Sequence, residues 1–455
     1  MFYKEVLCKK MKIHFIGIGG VSMSSLAKYM LRLGYDVSGS DIKASKITEE
    51  LSFLGVKVFI GHNENNVDNA EVVVYSSAIT KDNAEYVFSK NMGKLLLERI
   101  ELLNYISRSY KNRICVSGSH GKSSVTAMLT HIFSCKNCTS HIGAIDKKYQ
   151  NLKVGDKDYF ITEACEYKKN FLRMSPTVAV ILNVDKDHLE CYRGEEDLIN
   201  SFALFGEKSS DFTLVNIDDE RSKKVKEILD KKGKNTFTFS AKNSADFTAK
   251  NIEYKRGFCS FDFYKNNRKM GRINLSVLGE YNLYNALAGV SVGVAFKLPF
   301  NLIKQSMENF HGIARRMEKL KEVNGVKIYT DYAHHPKEIK VAIDTIKNSF
   351  DSDRAHIIFQ PHTYSRTRLL LKEFVKVFEK VNNLAIYKTY PARESYDKLG
   401  SAMTLHKSVK SKNKNATYLE DDVELINYYQ NQVKSGDVVF LMGAGDINEK
   451  ANLLN

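Results

Sequence analysis

The segment 117–124 constrains this chain more than any other, because it joins a strand to a helix through two glycines and a lysine. It reads Ser-Gly-Ser-His-Gly-Lys-Ser-Ser and follows the apolar run 114–116. Glycines let the backbone approach an anion, and the N–H groups opening the helix point at the same place. Lysine adds a point charge, and a serine hydroxyl can reach Mg²⁺. We therefore predict a loop that binds the phosphates of a nucleoside triphosphate through Gly118, Ser119, His120, Gly121, Lys122, Ser123 and Ser124.

This loop departs from the common GxxxxGK[ST] pattern, which requires glycine at position 116, where the chain has Val116. It is a shorter GxxGKS with a histidine inside it. The shorter pattern is only moderately specific, and an ordinary glycine turn is the alternative. The strand before the loop and the helical spacing over 125–133 favour phosphate binding.

Length and composition limit the remaining possibilities. A chain of 455 residues is too long to fold around one hydrophobic core, so we predict several domains. No apolar run approaches the roughly 18 residues of a membrane span, and residues 1–10 lack the features of a signal peptide. Seven scattered cysteines predict reduced thiols in the cytoplasm. The net charge of +15 is spread along the chain, which favours anionic small-molecule substrates and disfavours nucleic acid.

Alternating strand and helix patterns predict three α/β domains in series. We expect a Rossmann-like domain over 1–108, a P-loop ATPase-like α/β domain over 109–312 and a second Rossmann-like α/β domain over 313–455. Within them, the charged stretch 211–278 is predicted to be rich in strands. The Lys/Asn-rich segment 407–417 is predicted to be a loop.

A second glycine turn, Gly-Ile-Gly-Gly-Val-Ser over 17–22, ends the first predicted strand. With an aspartate about 20 residues further on, it is similar to the GxGxxG dinucleotide fingerprint, but serine replaces the third glycine. A turn that binds no ligand is the alternative, and NAD is one of the diphosphates that such a turn accepts. We predict that a nucleotide diphosphate binds at Gly17, Gly19, Gly20, Ser22 and Asp41.

Polar side chains follow the strands that neighbour the phosphate loop. Glu163 ends the strand at 158–162, and the segment 183–188 ends the next one. Carboxyl ends of neighbouring strands converge on one crevice, so Glu163, His188 and the Ser123 hydroxyl can together hold Mg²⁺. Solvated surface carboxylates are the alternative, and the competing candidates for the metal are Glu166, Asp185 and Asp187.

Two predicted loops in the third domain are richer in polar side chains than packing of a hydrophobic core would require. Segment 331–336 (Asp-Tyr-Ala-His-His-Pro) follows one predicted strand, and segment 359–368 follows the next. Histidine, arginine and aspartate on adjacent loops suit the binding of anionic groups and the positioning of an amine. Arg315 and Arg316 stand at the entrance to this domain, where a hinge would place a cation over a phosphate.

Taken together, these motifs resemble the Mur ligases of peptidoglycan synthesis. The resemblance runs from Ile13 to Ile447, which is nearly the whole chain. Nine motifs in family order carry it: IHFIGIGGVSMSSLA (13–27), VVYSSAI (73–79), VSGSHGKSS (116–124), EACEY (163–167), NVDKDHLE (183–190), GEYNLYNALA (279–288), ARRME (314–318), DYAHHPKEI (331–339) and FQPHTYSRTR (359–368).

The resemblance implies an ATP-dependent ligase that forms an amide bond through an acyl phosphate. UDP-N-acetylmuramate would bind the N-terminal domain and ATP the central domain. The C-terminal domain would bring L-alanine and close over the site. The segment 201–205 has no lysine where several Mur ligases use a carbamylated one, which is typical of the alanine-adding branch.

The resemblance also assigns roles to individual residues. Lys122, His188 and Arg316 would be catalytic, and Mg²⁺ would bind Ser123, Glu163 and His188. ATP contacts beyond the phosphate loop would come from Asn282, Asn285, Arg316 and Asp331. The amino acid and acyl group would meet His334 and Arg366. Thr363 stands where many relatives carry arginine, so its contact with substrate is open.

Three alternatives remain at this stage. One is a ligase that attaches a recycled tripeptide to the same sugar nucleotide. The others are an NAD-dependent oxidoreductase built on the glycine turn at 17–22 and a non-catalytic nucleotide sensor. Hydride transfer does not explain the loop at 117–124, and a sensor does not need Glu163, His188 and the loop at 331–336. We expect a monomer or weak homodimer.

Overall fold

The computed structural model describes residues 11–185 and 191–455. Over these residues it forms three β-sheets joined and flanked by helices. Their strand orders are β3-β2-β1-β4-β5, β15-β14-β13-β12-β11-β10-β6-β9-β7-β8 and β16-β17-β21-β18-β19-β20. The predicted fold class, three α/β domains, is confirmed. Within the described ranges, no helix is both long and apolar enough for a membrane crossing.

The first sheet is parallel and doubly wound. Helix α1 forms because Met23, Leu26 and Met30 recur on one face and are buried. The strand order changes direction at β1, so the loops after β1 and β4 open onto one crevice. Its elements are β1 (Lys12–Ile16), α1 (Val21–Arg32), β2 (Asp36–Asp41), α2 (Lys46–Phe53), β3 (Lys57–Ile60), β4 (Val72–Tyr75), α3 (Ala84–Asn91), β5 (Leu95–Glu98) and α4 (Arg99–Arg108).

The predicted phosphate loop follows β6, an interior strand of the second sheet. Strand β6 pairs with β9 on one side, where Val116 lies opposite Glu163, and with β10 on the other, where Ser117 lies opposite Ile181. The elements are β6 (Asn112–Ser117), α5 (Lys122–Ile132), β7 (Thr139–Asp146), β8 (Gln150–Lys153), β9 (Tyr159–Glu163), β10 (Val178–Ile181), α6 (Glu195–Glu207), β11 (Phe212–Asn216), α7 (Glu220–Lys231), β12 (Thr236–Ser240), β13 (Phe247–Lys255), β14 (Phe258–Lys265), β15 (Arg268–Leu278), α8 (Tyr281–Ala295) and α9 (Phe300–Glu308). The prediction that 211–278 is rich in strands is confirmed.

The third sheet has parallel neighbours β17, β21 and β18 at its middle. The loops after these strands therefore share one edge, as both predicted polar loops require. The elements are β16 (Glu318–Val323), β17 (Val326–Asp331), α10 (Pro336–Ser349), β18 (Ala355–Phe359), α11 (Tyr364–Leu369), α12 (Leu371–Phe378), β19 (Asn383–Tyr387), α13 (Ala402–Lys410), β20 (Thr417–Leu419), α14 (Asp422–Gln432) and β21 (Val438–Met442).

The prediction of a loop over 407–417 is confirmed for 411–416 and wrong at both ends. Helix α13 extends to Lys410, and the strand β20 begins at Thr417. The helix forms because Ser401 caps it, accepting a hydrogen bond from the Thr404 N–H, and because Leu405 and Val409 are buried on one face. Two of the lysines that suggested a loop, Lys407 and Lys410, belong to the last turn of this helix.

The chain divides into two compact units. The first comprises residues up to Asn251, with Phe261–Ile273 and Tyr284–Phe310, and holds the first sheet and most of the second. The second comprises Ile252–Ser260, Asn274–Leu283 and His311–Asn455. The domain boundaries expected near residues 108 and 312 stay a prediction.

Candidate functional site

The phosphate loop has a backbone that two glycines make possible. Gly118 has φ +147° and Gly121 has φ +86°, conformations that side chains rarely adopt. A Cβ on Gly118 would lie 2.9 Å from Cβ of Leu182, and one on Gly121 would lie 2.5 Å from Oδ1 of Asn285. The sequence therefore needs glycine at both positions. Asn285, predicted to contact ATP, does lie against this loop.

The side chain of Asn183, which follows β10, fixes the backbone conformation of the loop. The backbone N–H of His120 donates to Oδ1 of Asn183 at 2.8 Å, and Nδ2 of Asn183 donates to the carbonyl of His120 at 3.1 Å. The N–H of Asp185 donates to the buried hydroxyl of Ser119 at 2.8 Å. The loop is thus braced by the end of the neighbouring strand before any ligand enters.

Lys122, the predicted catalytic lysine, folds back on its own loop. Its ammonium donates to the carbonyl oxygens of Gly118 at 2.5 Å and Ser119 at 3.2 Å, and forms an ion pair with Glu166. Burial works to lower the pKa of Lys122, but its acidic neighbours, Glu166 first among them, together outweigh burial and raise that pKa. The lysine is therefore a fixed cation at the mouth of the loop.

Glu163 lies beside the loop, as the parallel sheet requires. Its Oε1 accepts a hydrogen bond from the N–H of Gly143 at 2.6 Å, which leaves lone pairs on both oxygens for a cation. Ser123 opens the helix at the same strand edge. The third predicted metal ligand, His188, lies outside the described residues, as does the competing Asp187. The structure therefore brings two of the three predicted ligands to one edge.

The turn at 17–22 is held by the second strand. The N–H groups of Gly17 and Ile18 donate to the carbonyl of Ser40, at 2.8 and 2.9 Å. The N–H of Gly19 donates to Oδ2 of Asp41 at 2.9 Å. Asp41, predicted to bind the diphosphate ligand, therefore also shapes the turn through one of its two carboxylate oxygens. Gly20 precedes helix α1 in an extended conformation.

In the second unit, Asp331 organises the loop after β17. Its carboxylate is buried and accepts hydrogen bonds from the N–H groups of Met317 and Ala333, at 2.9 and 2.8 Å. Burial raises the pKa of Asp331, and the charge of Arg316 opposes that rise. The guanidinium carbon of Arg316 lies 5.8 Å from the ring centre of Tyr332. Arg316 directly precedes β16 and Asp331 ends β17, so both predicted residues lie at the same end of this antiparallel strand pair.

His334 and Arg366, predicted to meet the amino acid and acyl group, converge on His362. The rings of His334 and His362 lie 6.0 Å apart, and a guanidinium N–H of Arg366 donates to Nδ1 of His362 at 3.0 Å. Burial lowers the pKa of His334. Burial and the charge of Arg366 lower the pKa of His362 to about 4. Two neutral imidazoles and one cation therefore line this edge of the third sheet.

Two other predicted residues have roles within the protein. Thr363 donates to Oε1 of Glu394 at 2.6 Å, so a carboxylate already meets the position where many relatives carry arginine. Asn282 lies in the second unit, where its side-chain amide donates to the carbonyl of Leu278 at 2.8 Å. The assignment of both residues to ligands stays a prediction.

Sequence reasoning missed three contributors to these sites: Asn183, His362 and the pairing of Glu166 with Lys122. Asn183 and His362 stand inside motifs that the sequence analysis singled out, NVDKDHLE and FQPHTYSRTR. Glu166 was considered only as a metal ligand. The ion pair was not predictable, because no sequence pattern links a buried glutamate to a lysine 44 residues away.

The three β-sheets are flanked by helices, and a glycine-lysine loop follows an interior strand of the second sheet. This arrangement is typical of nucleotide-binding α/β proteins. Family models match in order along the chain: Mur ligase family, catalytic domain, over residues 12–111; Mur ligase middle domain over 116–293; and Mur ligase, glutamate ligase domain, over 315–445. The chain belongs to the Mur ligase family, and the resemblance inferred from the nine motifs is confirmed.

Individual relatives extend over nearly the whole chain. The UDP-N-acetylmuramate–L-alanine ligase of Clostridium beijerinckii is 38% identical over 452 residues, 98% of both chains. That of Clostridium botulinum strain Alaska E43 is 39% identical over 441 residues, 96% of this chain and 95% of the relative.

Solved structures agree in fold. The UDP-N-acetylmuramate–alanine ligase of Thermotoga maritima has a TM-score of 0.84 at 26% identity and covers 98% of both chains. A murein peptide ligase from Psychrobacter arcticus has a TM-score of 0.72 at 20% identity, also over 98% of both chains, and shows the shared fold alone.

Proposed function

We propose that this chain is an ATP-dependent ligase that joins L-alanine to the carboxylate of UDP-N-acetylmuramate, an early step of peptidoglycan precursor synthesis. The names of the full-length relatives bear out this prediction from the motifs. The observation in the molecule that carries it is the braced phosphate loop, with Lys122 at its mouth and Glu163 on the adjacent strand.

The chemistry explains why a ligase needs such a loop. A carboxylate is a poor electrophile, because direct attack by an amine would have to expel oxide. Attack of the muramate carboxylate on the γ-phosphorus of ATP forms an acyl phosphate and releases ADP. The amine of L-alanine then attacks the acyl carbon, loses a proton and expels inorganic phosphate. The protein contributes positioning and neutralisation of charge.

Lys122 is the group best placed to neutralise phosphate charge. Its ammonium already lies against the loop carbonyls, so little reorganisation is needed when phosphates arrive. Gly118 and Gly121 let the loop pass close to Leu182 and Asn285 with a backbone conformation that a side chain would not allow. Asn285 borders the same loop, which supports its assignment to the nucleotide.

Mg²⁺ fits the donor set at this edge of the sheet. The Ser123 hydroxyl and the Glu163 carboxylate are oxygen donors, which Mg²⁺ prefers, and Glu163 has oxygen lone pairs beyond its one hydrogen bond. We assign the ion to Ser123, Glu163 and His188. When bound, it would neutralise phosphate charge and orient the γ-phosphate for in-line attack.

The loops of the second unit suit the other substrate groups. Arg316 and Asp331 lie at the same end of the antiparallel pair β16–β17 and are assigned to the phosphate and ribose of ATP. His334 and Arg366 meet at His362 and are assigned to the amino acid and acyl group. A neutral imidazole can accept a proton from the ammonium of L-alanine and so free the amine lone pair for attack, which suits His334 to that place.

UDP-N-acetylmuramate is assigned to the turn at 17–22 and to Asp41. The N–H groups of Gly17, Ile18 and Gly19 all have partners within the protein, so the turn has a defined shape without its ligand. We also propose that the protein is cytoplasmic and is a monomer or a weak homodimer.

Phosphate release from ATP tests the function directly. The purified chain is given UDP-N-acetylmuramate, Mg²⁺ and one amino acid or peptide at a time, and phosphate and coupled product are measured. L-alanine is expected to support release far better than glycine, D-alanine or a tripeptide. Preference for the tripeptide would favour the recycling ligase. Binding of NAD without any UDP-sugar binding would contradict the ligase altogether.

A further inference from the structure

Helix α1, which flanks the first sheet, packs against a hairpin of the second sheet, and a buried asparagine joins the two. Strands β7 and β8 form this antiparallel hairpin at one end of the second sheet, in the same compact unit as α1. Asn151 lies on β8 and is only 1% exposed. A polar amide at this depth costs free energy unless its hydrogen bonds are made, so its partners indicate its role.

The hydrogen bonds of Asn151 run across the boundary to α1. Its side-chain Nδ2 donates to the carbonyl of Val21 at 2.7 Å and to the hydroxyl of Ser24 at 2.9 Å. Its backbone carbonyl accepts a hydrogen bond from the hydroxyl of Ser25 at 2.9 Å, and its Oδ1 accepts one from the ammonium of Lys28 at 3.4 Å. Backbone and side chain of Asn151 are therefore both bound to the N-terminal part of α1.

The partners allow the amide only one orientation. A carbonyl oxygen can meet only the Nδ2 end of the amide, and an ammonium can meet only the Oδ1 end. The hydroxyl of Ser24 donates to the carbonyl of Val21 at 3.0 Å, so it is an acceptor towards Asn151. A shift of α1 along the hairpin would break several of these directional bonds at once.

The contacts around these hydrogen bonds are apolar. Leu26 and Met30 of α1 are buried in one core cluster with Phe160 of β9, and Leu152 of β8 packs against that cluster. Apolar packing fixes position less sharply than directional hydrogen bonds to a buried amide. A single buried asparagine sets the register of paired helices in coiled coils for the same reason. Asn151 therefore fixes where α1 lies on the hairpin.

The position of α1 matters because both sides of this contact lead to reacting groups. The turn at 17–22 runs directly into α1. On the other side, the N–H of Gly143 on β7 donates to Glu163 at 2.6 Å, and Glu163 ends β9 next to the strand that precedes the phosphate loop. The muramate carboxylate must reach the γ-phosphorus of ATP, and a displacement of about 1 Å slows such a step by about a hundredfold.

We propose that Asn151, together with Ser25, is a positioning residue that aligns the UDP-sugar with ATP for transfer of the γ-phosphate. It acts through α1, which it holds against the hairpin. Each substrate alone is assigned to the loops of one sheet, so binding of either one does not depend on this alignment, whereas phosphate transfer does. The inference rests on the proposed function, because it needs a UDP-sugar at the turn and ATP at the phosphate loop.

The test separates binding from phosphate transfer. Calorimetry measures the affinity for UDP-N-acetylmuramate and for ATP with Mg²⁺, each alone, and rapid quenching follows ADP formation in a single turnover with L-alanine present. Asn151→Ala is expected to bind each ligand within about threefold of the parent and to form ADP about tenfold to a hundredfold more slowly. Ser25→Ala removes one hydrogen bond of the contact and is expected to slow ADP formation by about threefold to tenfold.

Ser89→Ala is the matched control for Ser25→Ala. Both serines are buried on helices of the first sheet, but the hydroxyl of Ser89 donates to the carbonyl of Glu85 within its own helix α3, at 2.7 Å. This variant is expected to lose as much Tm as Ser25→Ala and to form ADP at the parental rate.

Three results would overturn the inference. One is a parental rate of ADP formation in Asn151→Ala, and another is an equal slowing in the two serine variants. The third is a loss of affinity for both ligands that accompanies the slower rate, since this would indicate a merely structural role. A parent protein that forms no ADP with all three substrates present would instead overturn the proposed function.

Discussion

The ammonium of Lys122 lies 3.0 Å from Oε1 and 2.9 Å from Oε2 of Glu166, a carboxylate that is only 1% exposed. The same ammonium donates to two carbonyl oxygens of its own loop. An anion that enters the loop must therefore compete with Glu166 for this charge. The buried carboxylate both fixes the lysine and opposes the binding of phosphate.

Glu166→Gln should tighten the binding of ADP in the absence of Mg²⁺. Removing a negative charge beside the phosphates removes repulsion, and we expect a gain of roughly threefold to thirtyfold in affinity. Turnover should fall at the same time, because Lys122 loses the partner that positions it. Calorimetry with ADP in EDTA, followed by steady-state kinetics with ATP and Mg²⁺, measures both effects.

The control for this experiment is Glu207→Gln, which removes a carboxylate that pairs with Lys232 in the same unit, at the far end of helix α6. It should leave ADP affinity unchanged. Weaker or unchanged metal-free binding in Glu166→Gln would contradict the prediction. Loss of affinity seen only with Mg²⁺ would instead make Glu166 a metal ligand, the competing role that its sequence position suggests.

Lys122→Met should lower turnover by on the order of a hundredfold or more, because the transferring phosphate loses its cation. It should also lower Tm, since the buried Glu166 is left without its partner, a loss worth about 3 kcal/mol. The double variant Lys122→Met with Glu166→Gln should recover Tm and remain inactive. A single variant as stable as the parent, or a double variant with restored turnover, would refute this account.

Gly118→Ala should weaken ATP binding and lower Tm. The residue has φ +147°, and an added Cβ would lie 2.9 Å from Cβ of Leu182, so strain of about 1–3 kcal/mol would shift the loop. Gly233→Ala is the matched comparison, because Gly233 has φ +64° with open space around it. That variant should lose about 1 kcal/mol of stability and keep its ATP affinity. Equal ATP affinity in the two variants would show that the contact with Leu182 is unimportant.

We expect Glu85 to make the stability of the first domain fall at acidic pH. The buried carboxylate accepts hydrogen bonds from Ser40 and Asn66. Burial favours its neutral form, but His14, Ser40 and Asn66 outweigh burial and lower the pKa of Glu85 from 4.5 to about 2. Stabilisation from a lowered carboxyl pKa is present above the unfolded value and is lost as pH falls from about 4.5 towards about 2.

Glu85→Gln should therefore be less stable than the parent at pH 7, and its Tm should fall less between pH 6 and pH 3 (roughly the window of the shift). Circular dichroism melts across that range provide the measurement. Glu49→Gln, on the exposed face of helix α2, serves as the surface control and should follow the parent. A Glu85 variant with the same acid sensitivity as the parent would show that this carboxyl is not the responsible group.

Much of the site was predictable because its signals are local. The loop at 117–124 needs glycine at two positions for backbone reasons, and the strand before it and the helix after it are readable from apolar spacing. The parallel sheet then places Glu163 beside the loop, since strand ends in such sheets converge. The C-terminal end of the helix at 402–410 was not predicted, because its lysines are typical of a loop and the burial of its two apolar residues is not visible in the sequence.

The sequence by itself determined the family, the conformation of the glycine-lysine loop at 117–124 and the order of the three domains, because these depend on short segments with strong local preferences. The tertiary structure decided which charges meet. Lys122 pairs with Glu166, 44 residues away, without any pattern in the chain between them. Burial makes such pairings decisive, because a charge held away from water must find its partner wherever the fold places one.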